Sequence, residues 1–167
     1  MPATKFTFDQ AHMDAAYQQA IADADGSPPG IPIGAALFYD DGQHQELFVG
    51  RNRRVQDNSA IRHGETDCLE QAESRPAAWY QHTTLFTTLF PCTMCSGAIA
   101  LFGIPRVVIG EAKNFPSNDH FKKGLAFLEL HGVEYQILDD QRCIDTLAKF
   151  IRDYPEIWNA DVPYQVR

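Results

Sequence analysis

The stretch Phe90-Pro91-Cys92-Thr93-Met94-Cys95, taken with His63-Gly64-Glu65, constrains this chain more than any other part of it. Two cysteines three positions apart, just after a proline, form the thiolate half of a metal site. A histidine well upstream then supplies a third ligand, so the fold has to bring the segment around residue 63 against the segment around residue 92. Three protein ligands leave one coordination position for water, the arrangement of a catalytic zinc rather than a structural one. Glu65 is left beside the histidine, free to carry a proton.

Other uses of a Cys-x-x-Cys pair are a structural zinc knuckle and a redox couple. A structural zinc asks for four protein ligands, and here no second pair exists, because Cys68 and Cys143 stand isolated among apolar neighbours and read as buried free thiols. A redox couple does not require His63-Gly64-Glu65 at all. One neutral imidazole and two thiolates balance a doubly charged cation, and a helix starting at Cys92 favours thiolate over thiol. A water of lowered pKa beside a proton carrier suits hydrolytic attack on an unsaturated carbon that bears an amino group. His-x-Glu followed by Pro-Cys-x-x-Cys is the general signature of zinc nucleobase deaminases.

Hydrophobic periodicity places these motifs on elements. A helix is expected over Asp9 to Ala24, stopped by Gly26-Ser27-Pro28-Pro29-Gly30. Ile31 to Tyr39 and Glu46 to Gly50 read as a hairpin around Asp40-Asp41-Gly42, and residues 51–59 as a polar loop. A helix over Ala60 to Glu73 would carry His63 and Glu65 in its first turns. Thr83 to Leu89 reads as a buried strand, Cys92 to Phe102 as a helix, and Arg106 to Gly110 as another core strand. His120 to His131, Val133 to Leu138, Asp140 to Tyr154 and Pro155 to Ala160 follow as helix, strand, helix and short helix. The order implies an α/β fold, a mixed five-stranded sheet with helices on both faces, hence a three-layer α-β-α sandwich. No linker divides the chain, so one domain over residues 1–167 is expected.

With 167 residues and 44% hydrophobic content the chain can bury one substantial core. No apolar run approaches membrane-spanning length, and Met1-Pro2-Ala3-Thr4-Lys5 lacks a signal-peptide core, so a cytoplasmic protein with no membrane partner is expected. The net charge of −8 disfavours a nucleic-acid partner. Arg51, Arg53 and Arg54 form the one local basic cluster, read as a solvated strand end.

From about Met13 to Asp161 the chain resembles the cytidine and deoxycytidylate deaminase superfamily, and within it the fungal type of cytosine deaminase. The likeness rests on Ile31-Pro32-Ile33-Gly34, Gly50-Arg51-Asn52, His63-Gly64-Glu65, Thr87-Thr88-Leu89 before Pro91-Cys92, and Ser96-Gly97-Ala98-Ile99. It continues through Gly103-Ile104-Pro105-Arg106, Val108-Ile109-Gly110-Glu111, Asn114-Phe115, Asp139-Asp140 and the tail with Trp158 and Asp161. The zinc motif specifies the superfamily; the Asn114-Phe115 segment and the tail narrow it.

The resemblance implies a cytidine deaminase-like fold, one Zn2+ per chain on His63, Cys92 and Cys95, and Glu65 as the proton shuttle between water, ring N3 and the leaving amine. It implies that Asn52 bonds the ring carbonyl O2 and that Asp161 accepts from N1–H. The backbone of Gly64 and the carbonyl near Phe90 would hold the ring, and Phe115, Trp158 and Ile33 would wall the pocket. Residues 155–163 would form a lid that favours a free base over a nucleoside. A homodimer and a role in pyrimidine salvage are likewise implied.

The resemblance departs at two positions. Phe90 stands where the fungal enzymes have a small polar residue, and Asn159 where they have an aromatic one. The leading expectation is hydrolysis of cytosine to uracil and ammonia. The alternatives are deamination of isocytosine or guanine, then tRNA adenosine deamination, then a zinc-stabilised binding module without turnover.

Overall fold

In the computed structural model, residues 6–115 and 117–162 are described. Asp9 caps the first helix, its carboxylate accepting from the Ala11 N–H, and α1 runs over Gln10–Ile21 with Met13, Ala16 and Ala20 buried. The helix ends earlier than its periodicity suggests, in a turn where the Ala24 N–H donates to the Ile21 carbonyl.

The hairpin is β1 (Gly34–Asp40) and β2 (Gln45–Arg51), paired antiparallel with Ala36 opposite Val49. Residues 31–33 do not join the strand. The Ile33 N–H turns back to the Ile31 carbonyl, and the Ile33 carbonyl accepts from the Asn52 N–H. This detour carries Ile33 and Asn52 to the same end of the sheet. Gly34 has no room for a side chain, since a Cβ there would lie 2.2 Å from the Ala16 carbonyl of α1.

Helix α2 spans Gly64–Gln71 and starts four residues later than expected from the sequence. Ser59 accounts for the difference: its hydroxyl accepts from the N–H groups of Ile61 and Arg62 and holds the preceding residues outside the helix. His63 becomes the N-cap, with extended backbone, and its N–H donates to the Thr66 hydroxyl. A short helix that periodicity does not reveal, α3 (Ala77–Tyr80), follows Pro76 and stacks Trp79 on Tyr39 with ring centroids 4.7 Å apart.

Strand β3 (Thr83–Leu89) is buried along its whole length, antiparallel to β1 and parallel to β4 (Arg106–Glu111). Between them α4 (Thr93–Phe102) has Cys92 as its N-cap and Gly103, at φ 70°, as its left-handed C-cap. After α5 (Asn118–Leu130), strand β5 (Glu134–Ile137) adds parallel to β4. Helices α6 (Gln141–Asp153) and α7 (Pro155–Asp161) complete the chain, with Asp140 capping α6 and Pro155 opening α7.

The sheet order is β2-β1-β3-β4-β5. Alternation sorts the core: Ala35, Leu37, Leu85, Val107 and Ile109 meet Leu69, Ile99 and Leu128 of α2, α4 and α5. Ala36, Phe86 and Val108 face the other way onto Met13 and Ala16 of α1. A third cluster joins Ile31, Ile33 and Leu89 to Leu147 and Phe150 of α6 and Trp158 of α7. The result is the three-layer α/β arrangement expected from the sequence. No helix among the described residues is long and apolar enough to cross a membrane.

Candidate metal and catalytic site

Two helix N-termini converge at one end of the sheet, and each presents its cap residue to the other. His63 Nδ1 lies 3.6 Å from Cys92 Sγ and 3.8 Å from Cys95 Sγ, and the two sulfurs are 3.7 Å apart. Tetrahedral zinc bonds of about 2.3 Å to sulfur and about 2.0–2.1 Å to nitrogen separate ligand atoms by roughly 3.6–3.8 Å. The triangle therefore fits a zinc ion without rearrangement, and these residues are positioned to hold a metal ion. Cys92 and His63 are N-caps rather than first-turn residues, which turns their side chains across the gap between α2 and α4.

The electrostatics of the metal-free triad agree with that use. The Cys95 hydrogen bond pulls the Cys92 thiol down to about 4, with His63 helping against the cost of burial. Cys95 moves the other way, raised by its bond to Cys92 and by burial. Burial opposes charge on His63, but the Cys92 thiolate, Asp161 and Glu65 outweigh it and lift the imidazole to about 8. A divalent cation entering the triangle displaces these protons.

Glu65 is 3% exposed and does not belong to the triangle. Burial raises its carboxyl above the usual range, and the neighbouring Cys92 thiolate adds to the rise. A raised carboxyl exchanges its proton closer to neutral pH, as a general acid–base group needs. Thr87 Oγ1 stands 3.2 Å from Glu65 Oε1 and 3.0 Å from the Leu89 carbonyl. A hydroxyl has one proton and spare lone pairs, so it can donate to an ionised Glu65 or accept from a protonated one while donating to Leu89. Thr87 can thus pair with Glu65 in either protonation state. Sequence reading did not single it out.

A cavity with about 30 Å³ of free space adjoins the triangle, lined by Ile33, His63, Glu65, Leu89, Phe90, Cys92, Phe115, Trp158, Asp161 and Val162. Ligand pockets usually hold about 300–1,000 Å³. The chamber is narrow, with Phe115 and, from α7, Trp158 and Asp161 along its wall. Among the residues expected at the site, Asn52, Gly64 and Cys95 do not line this space. Asn52 is 1% exposed, its Oδ1 accepts from the Arg54 N–H, and its Nδ2 has no partner among the described residues. Gly64 is pressed on the chain behind it, since a Cβ would lie 3.1 Å from the Ile33 carbonyl.

Phe115 is held by a buried scaffold. The fully buried Glu111 carboxylate accepts from the backbone and the side-chain amide of Asn114, which also donates to the Ile144 carbonyl. Phe90 is 1% exposed, and its ring packs edge-on against Phe115 and Phe121 and against Gly124 on α5. Its ring thus packs on α5 as well as lining the chamber. On α7, Asp161 Oδ1 accepts from Arg54 at 2.5 Å and lies 3.5 Å from His63 Nε2. Arg54 is therefore no solvated strand end. Its two neighbours are paired as well, Arg51 with Asp23 and Arg53 with Asp57. Residue 163, at the end of the expected lid, lies outside the described residues.

Comparison with known proteins bears on the same region. Residues 7–111 match the family model for the cytidine and deoxycytidylate deaminase zinc-binding region. The chain is 46% identical over 136 residues to the cytosine deaminase of Candida albicans, covering 81% of this chain and 85% of that one. It is 37% identical to the tRNA-specific adenosine deaminase of Streptococcus pyogenes serotype M1, covering 75% of this chain and 66% of that one. Among solved structures, the guanine deaminase of Nitrosomonas europaea superposes with a TM-score of 0.63 at 22% identity, covering 88% of this chain and 86% of that one. At that identity the last likeness speaks to the fold alone.

Proposed function

The chain belongs to the cytidine and deoxycytidylate deaminase family, and from that premise we propose that it hydrolyses free cytosine to uracil and ammonia. The observation that carries the proposal is a buried carboxyl, Glu65, beside a metal-ligand triangle that it does not join, in a chain 46% identical to a cytosine deaminase. His63, Cys92 and Cys95 would hold a zinc ion, which would supply the Lewis acid that lowers the pKa of water. Glu65 takes one proton of the attacking water and delivers it to ring N3, then takes the second from the hydroxyl added at C4 and passes it to the amino group, which leaves as ammonia as the C4–N bond breaks and the C4 carbonyl forms. Thr87 holds Glu65 in place through both protonation states.

The remaining residues bind and orient the ring. The unpaired Nδ2 of Asn52 donates to O2, and Asp161 accepts from N1–H. The Gly64 backbone and the Phe90 carbonyl steady the ring and its amino group. Ile33, Phe115 and Trp158 sandwich the ring and exclude water. One domain carries all of this, with residues 155–162 as a lid that opens to admit the base and release the product. The Asp161 carboxylate matches a free base, which has a proton on N1, and not a nucleoside, which carries its sugar there.

Pyrimidine salvage in the cytoplasm and a homodimer belong to the same proposal. The outward face of α4 supports association, because Met94, Leu101 and Phe102 recur there at helical spacing and Leu101 is 80% exposed. A likeness to tRNA adenosine deaminases favours RNA as a second reading, and the net charge of −8 weighs against it.

Ammonia release from cytosine, isocytosine, guanine and adenosine in tRNA, compared as kcat/KM on the zinc-loaded protein, tests the proposal. Cytosine is expected to lead. Preference for a purine, or salt-sensitive turnover of tRNA, would replace it.

A further inference from the structure

We infer that Arg54 is a positioning residue that fixes which hydrogen bonds the pocket offers along one edge of the substrate ring, by binding Asn52 with its backbone and Asp161 with its guanidinium. The inference rests on the cytosine reading above and adds a specificity determinant to it.

Arg54 lies in the loop after β2, two residues beyond Asn52. Its backbone N–H donates to Asn52 Oδ1 at 3.0 Å. An N–H can only donate, so the oxygen of that amide is committed backwards and the Nδ2 donor is turned the other way. The Arg54 guanidinium reaches across to α7, where Nη1 donates to the Ala160 carbonyl at 3.3 Å and to Asp161 Oδ1 at 2.5 Å. Its Nε is anchored on the Ser59 carbonyl. A guanidinium has no acceptor, so the Asp161 carboxylate facing it can serve only as an acceptor. Asp161 thus offers an acceptor to the inner cavity, and Asn52, buried outside that cavity's lining, holds a donor without a partner among the described residues. Adjacent C2=O and N1–H groups of a free pyrimidine are the complement of that pair.

The same ion pair divides two cavities. Asp161 lines the small inner chamber, and both Asp161 and Arg54 line an outer cleft of about 490 Å³ between the 54–60 loop and α7. The Asp161 side chain is 3% exposed beneath Arg54. A substituent on N1 of a bound base would have to displace this pair to reach the outer cleft. Arg54 therefore acts on substrate choice in two ways: it aims Asp161 at N1–H, and it closes the route an N1 substituent would need.

The test compares wild type, Arg54→Ala and Arg54→Lys in zinc-loaded form on cytosine and 1-methylcytosine, with kcat and KM separated and zinc content measured. In Arg54→Ala, kcat/KM for cytosine should fall about 10- to 100-fold, mainly through KM, as expected for loss of hydrogen bonds to a charged group. The preference for cytosine over 1-methylcytosine should shrink at least about tenfold, since a merely structural role would lower both substrates alike. Arg54→Lys keeps the charge but not the fork and should fall between the two. Unchanged KM and preference at full zinc content, or equal losses on both substrates, would overturn the inference. A wild type that turns over no cytosine would instead sink the cytosine reading. Amide hydrogen exchange over residues 157–161 then decides the role of Arg54: faster exchange in Arg54→Ala supports the tether, and unchanged exchange rejects it.

Discussion

Asp161 Oδ1 stands 3.5 Å from His63 Nε2, so a carboxylate on the last helix backs the imidazole whose other nitrogen faces Cys92 and Cys95. Partners of this kind orient a metal-binding histidine and raise its basicity, and their removal typically costs about 10- to 100-fold in metal affinity. Helix α7 and the metal triangle are thereby linked. Asp161→Ala is expected to weaken zinc binding by about that factor, read by competition with a chromogenic chelator. Zinc affinity equal to wild type would show that helix α7 and the triangle are independent.

The Phe90 ring and Gly124 fit one another. A Cβ at position 124 would lie 2.9 Å from Phe90 Cε1. Helix propensity alone favours alanine over glycine by about 1 kcal/mol, yet overpacking usually costs about 1–3 kcal/mol. Gly124→Ala is expected to lower stability in urea, and Phe90→Leu to absorb part of that loss when the two are combined. Additive effects would mean that ring and helix do not compete for the same space. Phe90→Ala should cost about 3–5 kcal/mol, as emptied aromatic sites do.

The loop that carries Asn52 and Arg54 is clamped by Asp57, which accepts from both Arg53 and Arg62. The Arg53 and Arg62 hydrogen bonds hold the Asp57 carboxyl down to about 2. A carboxyl lowered in the folded state stabilises above its unfolded pKa of about 3.9, and that contribution is lost as pH falls through the folded value. Metal-free Asp57→Asn is therefore expected to melt below wild type at pH 7, with the gap closing as pH falls from 4 towards 2. A gap independent of pH would mean the clamp contributes through packing and not charge.

Leu101 is the most exposed large apolar side chain on α4. If that face joins two copies, Leu101→Glu should convert a dimer to a monomer in sedimentation velocity. An unchanged sedimentation coefficient would place the interface elsewhere.

The parts of the site legible in the sequence are those encoded by short spacing. Cys92 and Cys95 share one helix start, and His63 and Glu65 share another, so a local pattern revealed both halves of the triangle and the carboxyl beside it. Strand β3 was equally plain, because Thr83 to Leu89 is a run of β-formers buried from end to end. Helix α2 was misjudged at its start, since a periodic pattern cannot see that the Ser59 hydroxyl captures two N–H groups ahead of His63. Helix α3 is too short to show a period. Arg54 was misread for a different reason. Its partner Asp161 lies 107 residues away, and nothing local distinguishes an arginine bound to a distant helix from one in water. Phe90 could be recognised as a departure from the fungal pattern, but only packing against Gly124 shows where its bulk goes.

The central claim is that Glu65 moves the proton in deamination of free cytosine at a zinc held by His63, Cys92 and Cys95. Ammonia release from cytosine by wild type and Glu65→Gln, at equal and full zinc occupancy, tests it most directly. The account predicts turnover by wild type and a loss of about 10²- to 10⁴-fold in the variant, with zinc content unchanged. Wild-type protein with bound zinc and no ammonia release from cytosine, or a variant that retains the wild-type rate, would contradict it.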